Sequence, residues 1–537
     1  IPYREGEAAI DRYLNGTLDD LYDPMLLKDM EHAVSILCEA VDTGKKIRIV
    51  GDYDIDGVCS TYILLQAFER LGSDVDFEIP DRIKDGYGIN ESIIEQAHAD
   101  GVEVILTCDN GISAFHQVEL AKKYGMTVVI TDHHEVPLDG EKEKIPPADA
   151  VIDPKQADCP YPFPEICGAV VAYKLVQVLY ARRGVPQMEW LDLLEFAAIA
   201  TVGDVMKLQD ENRILVKYGL KKMAQTKNLG LRRLAEKNNL DLGAITAYHI
   251  GFVIGPCLNA GGRLKTAKEA LALLRAQSEE EAERLAEELK ELNDTRKDMT
   301  EQGTEAAKLQ VESWYQKDKV LVVFLPECHE SLAGIIAGRL REYYQKPAIV
   351  LTRGEEAVKG SGRSIDEYHM FKKLTEVSDL LLKFGGHPLA AGLSLEEKNI
   401  DVFRRRLNKN AGLTEEDFKA KVWIDVPMPV GYVTERLVRE LSCLEPFGQG
   451  NEKPLFAEKS LRIRASRVLG RNRNVVKMTL EETDGHAIEA LYFGDGTAFE
   501  EERAGRREID VVYYPDINEY NGRKTLQAVI RRYKFRG

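Results

Sequence analysis

Lys46-Ile47-Arg48-Ile49-Val50-Gly51-Asp52-Tyr53-Asp54-Ile55-Asp56-Gly57 runs from an apolar strand straight into three carboxylates within five residues. Ionised acids this close repel one another unless a cation neutralises them, and a buried strand alongside adds a desolvation cost. A second stretch repeats the arrangement, with the apolar run Met126 to Thr131 leading into Asp132-His133-His134. Acid and imidazole clusters at two strand ends point to a metal site. Asp after a strand also commonly caps the next helix, and that explains any one of these acids more readily than all of them together.

Outward from these stretches the chain alternates strand and helix. The strands are Ile47 to Val50, Val75 to Ile79, Val102 to Thr107 and Thr127 to Thr131; the helices are Val58 to Leu71, Ile89 to Ala97 and Ser113 to Tyr124. This pattern predicts a parallel α/β sheet. Ligands of such sheets bind outside the carboxyl ends of the strands, where Asp52, Asp54, Asp56, Asp109 and Asp132 all fall. Asp204 joins them by its context, Val202-Gly203-Asp204 after an apolar helix spanning Leu191 to Ala200. Several carboxylates with imidazole suit Mn²⁺, or Mg²⁺ with retained waters, better than structural zinc. Asp54, Asp56, Asp109, His133 and Asp204 offer enough donors for a pair of ions, the arrangement that clamps a phosphoryl group.

Beyond the sheet, Ser278 to about Lys319 is highly charged and proline-free, with Ala282, Leu285, Ala286, Leu289 and Leu292 at helical spacing. It reads as a long helix joining two domains. A second α/β pattern then runs from Lys319 to about Asn408, and five short strand-like runs between Ser460 and Ile530 suggest a small barrel. The expected fold class is therefore α/β: two α/β domains joined by a long helix, followed by a C-terminal β-barrel.

At 537 residues the chain exceeds a single core. No apolar run approaches the roughly 18 residues that span a bilayer. The eight cysteines form no CxxC pair, which fits reduced thiols and a cytoplasmic location. Ile1 in place of methionine suggests a trimmed start that could have lost a targeting peptide. A net charge of -17 argues against a uniformly basic nucleic-acid binder, yet from Phe456 onward 16 Lys/Arg face 13 Asp/Glu. A local basic surface remains open.

The stretches Asp52 to Gly57, Thr107-Cys108-Asp109-Asn110-Gly111, Asp132-His133-His134 and Val202-Gly203-Asp204 resemble the four motifs of the DHH phosphoesterases. Phe384-Gly385-Gly386-His387 with Ala390-Ala391-Gly392 is similar to the companion DHHA1 domain. Leu444-Glu445-Pro446-Phe447-Gly448-Gln449-Gly450-Asn451 resembles the entry to the barrel of the RecJ family. Departures occur at Cys257 and Gly261, where that family usually has a basic residue and alanine, and at Cys328 and Ser331, where an aromatic residue and glycine are expected.

The resemblance implies a DHH domain over residues 1–275, a connecting helix over 276–318, a DHHA1 domain over 319–415 and an OB-type single-strand-binding barrel over 416–537. It implies a metal-dependent exonuclease that degrades single-stranded DNA 5′ to 3′ to 5′ mononucleotides, in DNA repair and recombination. Asp54, Asp56, Asp109, His133 and Asp204 would be metal ligands. Asp52, a ligand or supporting acid, would serve catalysis with Asp132 and with His134, which would face the scissile phosphate. Arg82, Asn259, Arg263, Ser361, Arg363 and His387 would bind substrate. Single-stranded DNA is the implied partner, with a single-strand-binding protein and a helicase as protein partners to test. Two alternatives stay open: a DHH phosphodiesterase for short oligoribonucleotides or cyclic dinucleotides, and a non-catalytic DNA-binding replication scaffold.

Overall fold

A computed structural model describes residues 6–82, 84–354, 356–520 and 523–536. Ile1, on which the reading of a trimmed start rests, lies outside them. The chain forms two compact units. The larger comprises residues 22–204 and 219–420; the smaller gathers 1–21, 205–218 and 421–537. Two short segments expected within the 1–275 domain thus belong to the unit that holds the barrel.

The larger unit begins with a parallel sheet of β1 (Ile47–Val50), β2 (Val75–Glu78), β3 (Val104–Cys108), β4 (Thr127–Thr131) and β5 (Ala150–Ile152), in the order β2-β1-β3-β4-β5. β1, β3 and β5 are buried throughout and β4 nearly so, which is why they read as continuous apolar runs. Arg48 is the exception on β1, buried but held by Asp76 at 2.7 Å and Asp100 at 2.8 Å. Ile89, Ile93, Ile94, Val118 and Val128 pack on one face of this sheet. β1 and β3 are parallel neighbours at which the strand order reverses, so the loops after them flank a ready-made crevice. α1 (Ile55–Arg70) leaves β1 through the acidic loop, and α2 (Glu91–Ala99) and α3 (Phe115–Lys123) follow β2 and β3. α4 (Gly168–Arg183) and α5 (Leu194–Gly203) complete the layer, α5 ending at Asp204. The strand and helix expectations hold with shifts of a few residues at their ends.

α6 (Gly255–Leu264) leads toward the long helix α7 (Glu279–Gln310). Ser278 caps α7 by accepting from the Glu281 amide, and Glu279 to Glu281 complement the positive helix terminus. Its 32 residues extend about 48 Å. Asn293 meets Cys257 of α6 at 3.3 Å, while Ala307 packs with Ile336 farther along. α7 thus supports both α/β layers, as its apolar stripe predicts.

The second sheet contains β6 (Leu321–Phe324), β7 (Ala348–Arg353), β8 (Val358–Arg363), β9 (Leu381–His387) and β10 (Ala390–Leu395), with α8 (Ala333–Tyr344) crossing from β6 to β7. Its order is β9-β10-β8-β7-β6; only β6 and β7 pair in parallel. Gly360-Ser361-Gly362 lies in the middle strand β8 rather than in a turn. A Cβ on Gly360 would come within 2.5 Å of the Leu351 side chain, so glycine here serves sheet packing.

In the smaller unit, β11 (Val426–Pro427), β12 (Phe456–Leu469), β13 (Val475–Glu481), β14 (Ala487–Phe493), β15 (Glu508–Tyr520) and β16 (Arg523–Phe535) form one sheet ordered β11-β12-β13-β14-β16-β15. The 14-residue β12 pairs with β13 along its second half and with β15 along its first, which closes the barrel. Leu461, Ile463, Val476, Met478, Ile509 and Tyr513 fill the interior. β15 and β16 are longer than the short runs expected: β15 extends to Tyr520, and β16 begins at Arg523 and passes Ile530 to end at Phe535. Their extensions carry Asp516, Asn518, Glu519 and Lys524, polar residues that gave no strand signal.

Candidate metal centre and phosphate groove

The parallel register brings the loops after β1, β3 and β4 to one edge. Asp54 is the N-cap of α1, accepting from the amides of Asp56 and Gly57 at 3.0 and 3.2 Å. Capping therefore explains Asp54 in part, but not its neighbours. Asp56, two residues on in the first turn of α1, is buried and accepts from the Gly168 and Ala169 amides at 2.7 and 2.8 Å, at the positive terminus of α4. Gly57 is required because a Cβ there would lie 2.3 Å from the Asp52 carbonyl oxygen.

Asp109 adopts the left-handed backbone region, φ 62°, immediately after β3. The Tyr87 hydroxyl donates to its carbonyl at 2.8 Å. His133 is buried with Nε2 3.1 Å from Asp109 Oδ1, 3.4 Å from Asp56 Oδ2 and 3.9 Å from Asp204 Oδ2, while its Nδ1 has no hydrogen-bond partner. Three sets of donors lie close enough to share an ion: Asp56, His133 and Asp204; Asp109, His133 and His134; and Asp52, Asp54 and Asp109. The sequence-predicted ligands Asp54, Asp56, Asp109, His133 and Asp204 all converge here.

Asp132 and His134 play a different part. Both Asp132 oxygens are engaged, one by the Ile112 amide at 2.8 Å and the other by the His133 amide at 2.7 Å and His134 Nδ1 at 2.8 Å. Burial favours its protonated form, but the His134 hydrogen bond and charge outweigh this and hold its pKa below the usual carboxylate range. His134 is half-exposed; burial opposes its charge, yet the Asp132 carboxylate raises its pKa to about 9. At neutral pH His134 is a cation beside the cluster.

The acids themselves fit a divalent cation. Burial and the Asp54 charge push Asp52 up to about 8, and burial with like charges raises Asp54, Asp109 and Asp204. Among the described residues, the side-chain bases within ion-pair distance of Asp56, Asp109 and Asp204 are the histidines, and burial holds His133 toward its neutral form. A raised carboxyl pKa means that the folded chain keeps protons that the unfolded chain has released above about pH 4. Metal-free stability contributed by these groups therefore falls as pH rises from about 4 toward 8. A bound divalent cation replaces those protons, so thermal unfolding should show a larger Mn²⁺-induced rise in Tm at pH 8 than at pH 5. Equal rises at both pH values would count against this cluster as the binding place.

Alongside lies a groove of about 780 Å³ lined by Tyr53, Arg82, Arg263, Ser361 and Arg363, with Lys359, Lys383, Phe384 and Gly385. Arg82 stacks over the Tyr53 ring, 4.7 Å from its centroid. Arg263 reaches the Ser331 carbonyl at 3.1 Å, and a small adjoining cavity joins it to Asn259 and Arg296. Four predicted substrate residues, Arg82, Arg263, Ser361 and Arg363, thus share one groove, and Asn259 adjoins it. His387 does not line it. It sits exposed at the end of β9, its Nδ1 accepting from the Leu389 amide, beyond the stretch Lys383 to Gly385 that lines the groove.

Residues 46–201 match the DHH family N-terminal domain, 317–412 the DHHA1 domain and 424–532 the RecJ OB domain. The single-stranded-DNA-specific exonuclease RecJ of Haemophilus influenzae is 33% identical over 98% of this chain and 94% of its own length. The chain belongs to the RecJ family. The RecJ of Bacillus subtilis is 38% identical over 95% of the chain, which spans 64% of that relative's length. The RecJ of Escherichia coli is 35% identical over 94% of this chain and 90% of its own length. Among solved structures, Thermus thermophilus RecJ in complex with Mn²⁺ superposes with a TM-score of 0.83 at 29% identity, covering 98% of this chain and 74% of that one. An exonuclease RecJ bound to manganese gives 0.63 at 33% identity, covering 73% and 96%. No described helix is long and apolar enough to cross a membrane.

Tyr87, Tyr53, Lys359, Lys383 and Arg296 also border the cluster or the groove, and the sequence reading gave none of them an individual role, although Tyr53 and Tyr87 stand within motif segments. Tyr87 had a usable signal: it stands between Gly86 and Gly88, both at positive φ, in a loop that must turn sharply to aim it at His134. Lys359, Lys383 and Arg296 had none, since exposed cations on strands and helices are ordinary.

Proposed function

We propose that this chain is a divalent-metal-dependent exonuclease that hydrolyses single-stranded DNA from its 5′ end and releases 5′ mononucleotides. The observation that carries the reading is the adjacency of an acid–imidazole cluster to a cationic groove, joined through consecutive residues Tyr53 and Asp54. Arg82, Arg263 and Arg363 hold the terminal phosphate, assisted by the Ser361 hydroxyl; guanidinium groups suit phosphate because they bind it bidentately. That pocket sets polarity. The next phosphodiester then lies against Asp54, Asp56, Asp109, His133 and Asp204, which hold two ions, with Asp52 supporting them.

When bound, the ions lower the pKa of a water and polarise the phosphoryl oxygens. His134 donates a hydrogen bond to the scissile phosphate and is placed to protonate the departing 3′ oxygen. Asp132 fixes the His134 ring and keeps it charged, and Tyr87 limits its rotation through a 3.0 Å contact with Nδ1. Asp132 is thus assigned to positioning. A barrel matching the RecJ OB domain weighs against a phosphodiesterase of dinucleotides, and retention of every ligand weighs against a non-catalytic scaffold.

The test supplies 5′-labelled and 3′-labelled single-stranded DNA, short RNA and a cyclic dinucleotide with Mn²⁺ or Mg²⁺. Early release of labelled mononucleotide from the 5′ end alone is expected. Turnover confined to dinucleotides would overturn the reading, as would the absence of any metal-dependent hydrolysis.

A further inference from the structure

The helix that carries Asn259 and Arg263 also presents a surface that this chemistry leaves unused. Upstream of α6, the chain runs from Ala247–His249 through a π-helical turn, Ile250–Ile254, a local geometry that often accompanies function. Positions 248, 252, 256, 259 and 263 step by three or four residues and so follow one side of the helix. At the inner end, Arg263 lines the phosphate groove; Pro256, Asn259 and Gly203, next to the ligand Asp204, line the adjoining cavity with it. At the outer end stand Tyr248 and Phe252, 63% and 67% exposed. Their rings stack with centroids 4.7 Å apart and planes 27° from parallel.

Two large rings left in water forgo the stabilisation that burial would give. Paired, nearly parallel and open, they have the form on which unpaired bases stack without sequence preference. Continuity with the cationic groove decides for nucleic acid over a protein partner: one helix face links the phosphate pocket, the metal cluster and the rings. Fifteen residues of helix span about 22 Å, a reach of several nucleotides.

We propose that Tyr248 and Phe252 form a stacking platform for bases a few nucleotides behind the 5′ end of single-stranded DNA seated in the Arg82–Arg363 groove. The strand's direction rests on the exonuclease reading; the stacking does not.

The experiment measures binding without divalent metal, by fluorescence anisotropy, so that cleavage plays no part. The probes are a 5′-phosphorylated thymidine oligonucleotide and the same strand made abasic only over the stretch a few nucleotides behind its 5′ end. The native chain is expected to bind the abasic strand roughly tenfold more weakly. The double variant Tyr248→Ala with Phe252→Ala should bind both strands equally weakly, with an unchanged Tm because the rings are exposed. Tyr248→Trp with Phe252→Trp should restore the difference. The platform is overturned if the native chain ignores the abasic stretch, or if the double-alanine variant still discriminates. A native chain that discriminates between the two strands yet cleaves nothing would sink the exonuclease reading and leave the platform standing.

Discussion

Asp109→Ala is expected to lower kcat on single-stranded DNA at least about a thousandfold, equivalent to roughly 4 kcal/mol of transition-state stabilisation. Asp109 belongs to two of the three donor sets, one with His133 and His134 and one with Asp52 and Asp54, so its removal depletes both sides of the cluster. The surroundings are built to hold it. A Cβ on Gly168 would lie 2.7 Å from the Asp109 Cβ, and the Tyr87 hydroxyl fixes the Asp109 carbonyl. Alanine tolerates φ 62° less well than aspartate, so Asp109→Asn provides the better-folded comparison, keeping shape and conformational tolerance while removing the charge. Both variants should bind an oligonucleotide within about threefold of the native Kd, since the groove is untouched. Near-normal turnover by Asp109→Asn would refute the shared-ligand place given to this residue.

Arg363→Ala is expected to raise KM for 5′-phosphorylated single-stranded DNA by roughly ten- to hundredfold, the range for a lost charge-assisted hydrogen bond to phosphate. Arg363 is positioned by its own strand, with Nη1 2.8 Å from the Gly362 carbonyl and 3.1 Å from the Ser361 hydroxyl. Burial and the charges of Arg341 and Arg82 lower its pKa; burial with Arg82 and Arg296 brings Arg263 down to about 10. Like charges crowded in a partly buried groove are costly unless an anion occupies it. The same substitution should change KM much less for a 5′-hydroxyl oligonucleotide, because that substrate never occupies the pocket. A variant with the same preference between the two ends as the native chain would remove Arg363 from the proposed 5′-phosphate site.

The cluster and the groove differed in how readable they were. Acids and histidines at strand ends are conspicuous because a parallel sheet sends successive carboxyl ends to one edge, so Asp52 to Asp56, Asp109 and His133 could be brought together before any coordinates. Even the near miss is informative. Ser361, expected to bind substrate and flanked by Gly360 and Gly362, faces the groove with Arg363. The glycines, however, lie in a central strand where neighbouring side chains demand them. His387, after a glycine pair, stands at the exposed end of β9, beyond the stretch Lys383 to Gly385 that lines the groove.

By itself the sequence determined the two α/β layers, the long helix, the barrel and the membership of the acid–imidazole cluster. These depend on periodicity, strand direction and residue chemistry, all local properties of the chain. Only the tertiary structure decided that Asp132 anchors His134, that Tyr87 completes that contact, that Arg82, Arg263 and Arg363 share one groove, and that residues 1–21 and 205–218 join the barrel's unit. Those outcomes depend on which distant segments pack together and which face each side chain then presents, and no local pattern encodes either.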